Sequence, residues 1–256
     1  TWSNVIENGI KPDCVLFVDI PLIPIFLIKL LSNRQFKPIL FLSEPPSIRF
    51  WSYWKILQSQ FKLVFDWSKL ESENDQRVRL PHPASFDLNK KKSYATEYKS
   101  KFATMVVSNK PSNHRKSLQK YRENVIKWFN NNDSENFDLF GAKWDRRVSK
   151  YRFIRLIQKI LKIQENKNSS VCQVYRGTVK DKWETMSKYK FIFTFENSEY
   201  PNLITEKIFD AIYAGSVPIY FGAPNISDYI NPSLFIDYRD FESMEKLYEY
   251  LKNMNQ

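Results

Sequence analysis

Residues 191–222, FIFTFENSEYPNLITEKIFDAIYAGSVPIYFG, decide the fold. Phe191 to Phe195 are apolar except for Thr194, the pattern of a strand covered on both faces, as in a parallel sheet. Glu196 and Asn197 end the run, and a turn-rich segment through Pro201 and Asn202 leads into a helix with Ile204, Ile208, Ala211 and Ile212 on one side. Gly215 closes that helix and Val217 to Phe221 predict the next strand. The whole is a β-α-β unit. Open parallel sheets bind ligands beyond the carboxyl ends of their strands, and Asn197, Glu206, Lys207 and Gly222 all fall at that edge or on the first helical turn. The N–H groups of a helix start favour an anion there, and Lys207 adds a full positive charge, so a phosphate-bearing ligand is expected.

Upstream, the same alternation recurs. Strands are expected at 13–18, 39–42 and 63–65, closing at Asp19, Ser43-Glu44 and Asp66. Helices are expected between them at 21–31 and 50–58, the second with Trp51 and Trp54 on one face. Segment 71–100 is polar and reads as a connector. A second set follows: a strand at 103–107 ending in Ser108-Asn109, a turn in which Ser112 or Asn113 caps a helix, and an apolar stripe of Leu118, Tyr121, Val125, Trp128 and Phe129. Arg115 is placed on the first turn of that helix, at the rim of the stripe. Further strands are expected at 137–140 and 233–237, with helices at 182–189 and 242–254. This repeat predicts an α/β chain with two doubly wound domains, 1–100 and 101–256.

The 256 residues carry a net charge of +11, unevenly spread. From Lys90 to Lys127 there are 11 Lys/Arg against 2 Asp/Glu, and from Glu196 onward 4 against 10. That asymmetry points to a localised anionic partner: a nucleotide, a phospholipid surface or a nucleic acid. No helix-turn-helix, RNA-recognition or zinc-finger pattern is present to support the last. Cys14 and Cys172 lack metal-ligand spacing. The apolar run 14–31 is broken by Asp19, Pro21, Pro24 and Lys29, which favours a strand and helix over a membrane span. No signal peptide is visible, and the initial Thr is compatible with removal of upstream residues.

The segment FENS…ITEKIFDAIYAGSVPIYFG also resembles the donor-binding signature of the α-1,3-fucosyltransferases, and the resemblance extends more thinly over nearly the whole chain. It implies the GT-B arrangement, two Rossmann-like halves facing a central cleft, with the acceptor met by the amino-terminal half and GDP-fucose held by the carboxyl-terminal half. It implies Glu44 as catalytic base, and donor contacts from Arg115, Asn197, Glu206, Lys207, Ser108, Asn109 and Gly222, Arg115 standing six residues after Asn109 as in the family. Arg115 and Lys207 would neutralise the diphosphate and Glu206 would hold the ribose hydroxyls. With no Asp-x-Asp sequence, no cofactor is required and Mg or Mn is at most an activator. The acceptor is expected to be the 3-hydroxyl of a glycan containing N-acetylglucosamine or glucose, with no nucleic acid involved. The basic stretches are expected to hold a cytoplasmic protein peripherally against an anionic membrane, or a Golgi-lumenal one if the source is eukaryotic and upstream residues were removed. Ser43 replaces the family's usual Gly, and Leu203 and Phe41 replace donor-touching Tyr residues, so a second reading keeps the architecture and changes the donor sugar. The sequence departs from the family pattern in one further respect: members usually carry an earlier strand before the Asp13 position and more helix after the position of residue 256.

Overall fold

The structure, a computed structural model, describes residues 12–20, 36–68, 76–80, 98–146 and 172–254, with 148, 149, 151, 154, 157 and 161. The chain separates into two compact units, 1–82 and 83–256. Between this division and the boundary expected near residue 100 lie residues 83–97, which are outside the described residues, as is the helix expected at 21–31.

In the first unit, β1 (Cys14–Val18), β2 (Lys37–Phe41), β3 (Leu63–Asp66) and β4 (Arg77–Arg79) form a parallel sheet in that order. Ile20, Leu40, Leu42, Trp51, Phe61 and Val64 make its core. The sequence gives no apolar signal for β4, whose strand RVR falls inside the expected connector. The single helix expected at 50–58 is two pieces, a 3₁₀ turn (Phe50–Tyr53) and α2 (Lys55–Gln58), and a further short helix, α1 (Pro46–Arg49), precedes them. The cause is tertiary. Ile20 draws the segment in, its N–H donating to Ser52 Oγ at 3.0 Å and its carbonyl accepting from Trp51 Nε1 at 2.9 Å. Trp54 is then extended, at φ −73° and ψ 120°, so Trp51 is buried while Trp54 is half exposed rather than on the same face.

The second unit is built on β5 (Lys101–Val106), β6 (Phe137–Phe140), β7 (Tyr189–Phe195), β8 (Val217–Phe221) and β9 (Ile236–Asp237), all parallel, in the order β6-β5-β7-β8-β9. Helices α3 (Gln119–Asn132), α4 (Lys182–Met186), α5 (Glu206–Tyr213) and α6 (Met244–Asn253) cover it. Alternation along β7 explains why both faces are closed. Phe191, Phe193 and Phe195 pack into one cluster with Val125 and Phe129 of α3 and Leu247 and Leu251 of α6. Ile192 packs into another with Met186, Ala211 and Ala214, from α4 and the α5 end. Each buried Phe contributes about 1.5–3 kcal/mol, so β7 is the strand this unit can least spare. Gly215 turns the chain after α5 at φ +68°, a conformation that favours glycine.

Numbered within this unit the strand order is 2-1-3-4-5, the doubly wound order in which the winding reverses between β5 and β7. A crevice opens where two neighbouring strands send their connections to opposite faces. Both units thus have the α/β, Rossmann-like character expected from the sequence.

Candidate functional site

The exits of β5 and β7 flank that reversal, and the structure ties them together. Residues 111–118 do not begin a helix. They run back to the β7 exit, where Ser117 bridges Ser198, the Glu199 N–H donates to Lys116 O at 2.8 Å and the Leu118 N–H to Asn197 O at 3.1 Å. The helix therefore starts only at Gln119, with Leu118 as N-cap and no side-chain cap. This corrects two expectations: Ser112 and Asn113 do not cap it, and Arg115 lies in the turn before the helix, not on its first turn.

That position leaves Arg115 exposed, and its guanidinium makes no hydrogen bond or ion pair to any described residue. Its neighbours form a basic rim. Lys116 Nζ stands 4.2 Å from the centre of the Tyr200 ring, and the His114 ring lies 6.4 Å from the same ring. Burial, with the charges of Arg115 and Lys116, lowers the His114 pKa. Its Nδ1 accepts from the Lys116 N–H at 3.2 Å, which an imidazolium cannot do. Ser108 is half buried at the β5 exit, and Asn109 is a strut: Nδ2 donates to Lys143 O at 3.1 Å while Oδ1 accepts from Gln119 Nε2 at 3.1 Å.

Lys207 is held from the other side. Its ammonium donates to Glu196 Oε2 at 2.9 Å and Thr205 Oγ1 at 2.7 Å, leaving one N–H direction unused by described residues. Glu206 Oε1 stands 3.9 Å away on a side chain 40% exposed. Glu196 is fully buried and closes the start of α5, accepting from the Thr205 N–H and hydroxyl, each at 2.8 Å. Gly222 is part of the same packing. A Cβ there would lie 2.4 Å from Tyr220 Oη and 2.5 Å from Glu196 Cγ, so the close approach of these groups requires glycine. Tyr220 in turn accepts the Ala223 N–H at 2.9 Å, and burial, reinforced by Glu196, drives its pKa well up, so it stays neutral. Leu203 is buried, an apolar wall to this corner, while Phe41 is half buried in the other unit.

Sequence reasoning missed two residues beneath this edge. Glu196 reads in sequence as a mere break in an apolar run. Arg122 is 2% exposed, with Nη2 donating to Phe195 O at 2.6 Å and Asn197 Oδ1 at 3.2 Å. Its signal was available: Leu118, Arg122, Val125 and Phe129 recur on one helical face, and an arginine in an apolar stripe asks for a partner. Tyr121, placed on that stripe instead, is 41% exposed.

Glu44 belongs to the first unit, in the turn after β2. Asp19, nearly buried and at φ +57°, accepts the Ser43 N–H at 2.9 Å and the Glu44 N–H at 3.2 Å, and Tyr53 Oη donates to Glu44 O at 3.0 Å. Burial pushes the Asp19 carboxyl up against the pull of those N–H groups. The backbone of Glu44 is thereby fixed while its side chain remains half buried. Among the described residues no three His, Cys, Asp or Glu side chains gather as a metal-ligand set, and no helix is long and apolar enough to cross a membrane.

In the second unit an exposed arginine follows the β5 exit, and a lysine with one open donor direction and an accessible carboxylate stand on the first turn of the helix after β7. Such a set can receive a diphosphate with its ribose. Residues 96–256 match the model of glycosyltransferase family 10 (fucosyltransferase), C-terminal part. The chain is 46% identical over 69 residues to an alpha-(1,4)-fucosyltransferase of Arabidopsis thaliana, covering 27% of this chain and 17% of that protein. It is 38% identical over 77 residues to the alpha-(1,3)-fucosyltransferase FucT of Helicobacter pylori, covering 30% and 16%. Against the human 4-galactosyl-N-acetylglucosaminide 3-alpha-L-fucosyltransferase FUT6 it is 34% identical over 118 residues, covering 44% and 32%. The matches thus span about a third of these relatives' length or less. Among solved structures, an alpha1,3-fucosyltransferase aligns with TM-score 0.54 at 19% identity, over 93% of this chain and 65% of its own. An alpha-glucosyltransferase in complex with UDP and DNA aligns with TM-score 0.56 at 12% identity, over 94% and 70%. At these identities the structural likeness speaks for the fold alone, which is of the GT-B class.

Proposed function

The chain belongs to glycosyltransferase family 10, the fucosyltransferases, and from that membership we propose that it transfers fucose from GDP-fucose, with inversion, to a sugar hydroxyl. The acceptor hydroxyl in this reading is the 3-OH of an N-acetylglucosamine- or glucose-containing glycan. One observation supports the donor half: the loop bearing Arg115 is hydrogen-bonded to residues 197–199 at the β7 exit, the segment that leads into Lys207 on the first turn of α5, at the reversal point of the sheet. Arg115 and Lys207 take the diphosphate oxygens, Glu206 the ribose hydroxyls, and Asn197 lies beside them. Glu44 removes the acceptor proton, its turn held by Asp19. Charge building on the leaving diphosphate is met by the two cations, so no divalent ion is required and Mg or Mn only activates. The basic stretch 90–127 serves peripheral association with an anionic, glycan-bearing membrane from the cytoplasmic side.

Incubating the chain with labelled GDP-fucose, GDP-mannose and UDP-glucose tests the reading, with and without acceptors ending in N-acetylglucosamine or glucose. Release or transfer of fucose alone is expected, and it is expected to persist in the presence of a chelator. Turnover of another nucleotide sugar in its place would move the chain to the reading in which Leu203 and Phe41 reshape the donor corner.

A further inference from the structure

In the first unit, the consecutive residues Phe50, Trp51, Ser52, Tyr53 and Trp54 divide by what holds them. The inner three are anchored. Trp51 Nε1 donates to Ile20 O at 2.9 Å, Ser52 Oγ accepts the Ile20 N–H at 3.0 Å, and Tyr53 Oη donates to Glu44 O at 3.0 Å. The outer two are left facing water: Phe50 is 52% exposed and Trp54 50%, and their rings meet at 5.7 Å between centroids, inclined by 64°. Buried Trp51 braces the Phe50 ring edge-on at 5.1 Å. The Arg49 guanidinium lies 5.7 Å from the Trp51 ring, which sets hydrogen-bond donors beside the pair. The Trp54 indole N–H itself donates to no described residue. Two braced rings thus forgo the burial that aromatic side chains usually gain.

Area and position identify what covers them. A fully covered Phe or Trp buries about 150–250 Å², so two rings near half exposure offer about 200 Å² together. A stable protein interface takes about 800 Å² from each partner, and adding the exposed Ile56 of α2 leaves the patch well short of that. A pyranose matches the scale. It has an apolar C–H face to lay on a ring, and hydroxyls at its edge for an indole N–H or a guanidinium. Glu44 and Phe50 are six residues apart with three of the steps inside α1, which keeps their Cα atoms within about 16 Å, the reach of a short glycan. Tyr53 ties the same turn to the backbone of Glu44. Resting on the acceptor reading above, in which Glu44 is the base, we propose that Phe50 and Trp54 form a stacking subsite for a pyranose of the acceptor glycan, beyond the sugar whose hydroxyl receives fucose.

The test is steady-state transfer from labelled GDP-fucose to disaccharides ending in N-acetylglucosamine or glucose, run beside hydrolysis of GDP-fucose without acceptor, for the wild type, Phe50→Ser, Trp54→Ser and Trp54→Phe. Each serine variant is expected to raise the acceptor KM about fivefold or more, while kcat, the donor KM and acceptor-free hydrolysis stay within about twofold. Trp54→Phe, which keeps a stacking face, is expected to hold the acceptor KM within about threefold of the wild type. An unchanged acceptor KM in both serine variants overturns the inference and leaves the donor and base assignments standing. A parallel fall of transfer and hydrolysis overturns it too, as the mark of a merely structural role. So does a wild-type dimer in sedimentation that Trp54→Ser dissociates, which would give the rings to a second copy of the chain. If Trp54→Ser does not fold, Phe50→Ser decides together with saturation transfer from aromatic protons of the wild type: no signal on the C–H protons of the disaccharide contradicts stacking. A wild type that hydrolyses GDP-fucose but transfers to neither disaccharide overturns the acceptor reading and this inference with it.

Discussion

Replacing Glu196 by Gln probes the centre of the site without changing its shape. Gln keeps an oxygen for the Thr205 N–H and hydroxyl but deletes the one negative charge between Arg122 and Lys207. Removing one member of a buried ionic set, so that the others lose compensation, costs about 3–5 kcal/mol. The hydrogen bonds that Gln retains argue for the lower end. For a unit of this size each kcal/mol lowers the melting temperature by about 2–4 °C, which gives a fall of roughly 6–20 °C. Scanning fluorimetry of the wild type and variant reads this directly. GDP is expected to raise the variant's melting temperature by more than it raises the wild type's, since the ligand supplies the missing negative charge. Equal melting temperatures without ligand would mean that the charge of Glu196 does not support the fold.

Other outcomes follow from the same geometry. Arg115→Ala and Lys207→Ala are each expected to weaken GDP about 10–100-fold or abolish its binding in calorimetry, since each removes a charged hydrogen bond worth about 1.5–3 kcal/mol; of the two, only Lys207→Ala should also lower the melting temperature, because Arg115 contacts no described residue by hydrogen bond or ion pair. Glu44→Gln is expected to keep GDP affinity while turnover falls about 10²–10⁴-fold in a transfer assay, the contribution of a positioned base. Gly222→Ala drives a methyl against Tyr220 Oη and Glu196 Cγ and is expected to cost about 1–3 kcal/mol in urea unfolding. At the opposite edge of the same sheet, burial pushes the Asp138 carboxyl up, but hydrogen bonds from Lys101 and Tyr189 and the charges of Lys101 and Arg176 outweigh it and hold the group below its ordinary 3.8. A depressed carboxyl stabilises the fold above its unfolded pKa and loses that contribution as pH falls through the folded one, so the urea midpoint should drop from about pH 5 downward, and less so in Asp138→Asn.

The β7-α5-β8 unit was legible because its period changes cleanly, from an unbroken apolar run to a helical stripe and back. Strand ends were legible for the same reason, which placed Ser108, Asn197, Lys207 and Glu44 at carboxyl edges. Local rules failed where distant backbone competed. Ser112 and Asn113 have the chemistry of helix caps, yet the 111–118 segment is drawn to the β7 exit, the two backbone hydrogen bonds of the Ser117–Ser198 bridge outweighing one turn of helix. The segment after Pro45-Pro46 has helical spacing, yet Ile20 bends it through Ser52 and Trp51. β4 is too short and too polar to announce itself. Arg122 was hidden by its own charge, which a search for polar ligands assigns to the surface and a search for core residues passes over.

The central claim is that Arg115 and Lys207 meet on one diphosphate. A crystal structure of the chain soaked with GDP-fucose measures it most directly. The account predicts phosphate oxygens about 3 Å from both the Arg115 guanidinium and the Lys207 ammonium, with Glu196 still beneath Lys207. A diphosphate bound away from the β5 and β7 exits, or touching neither cation, would contradict it.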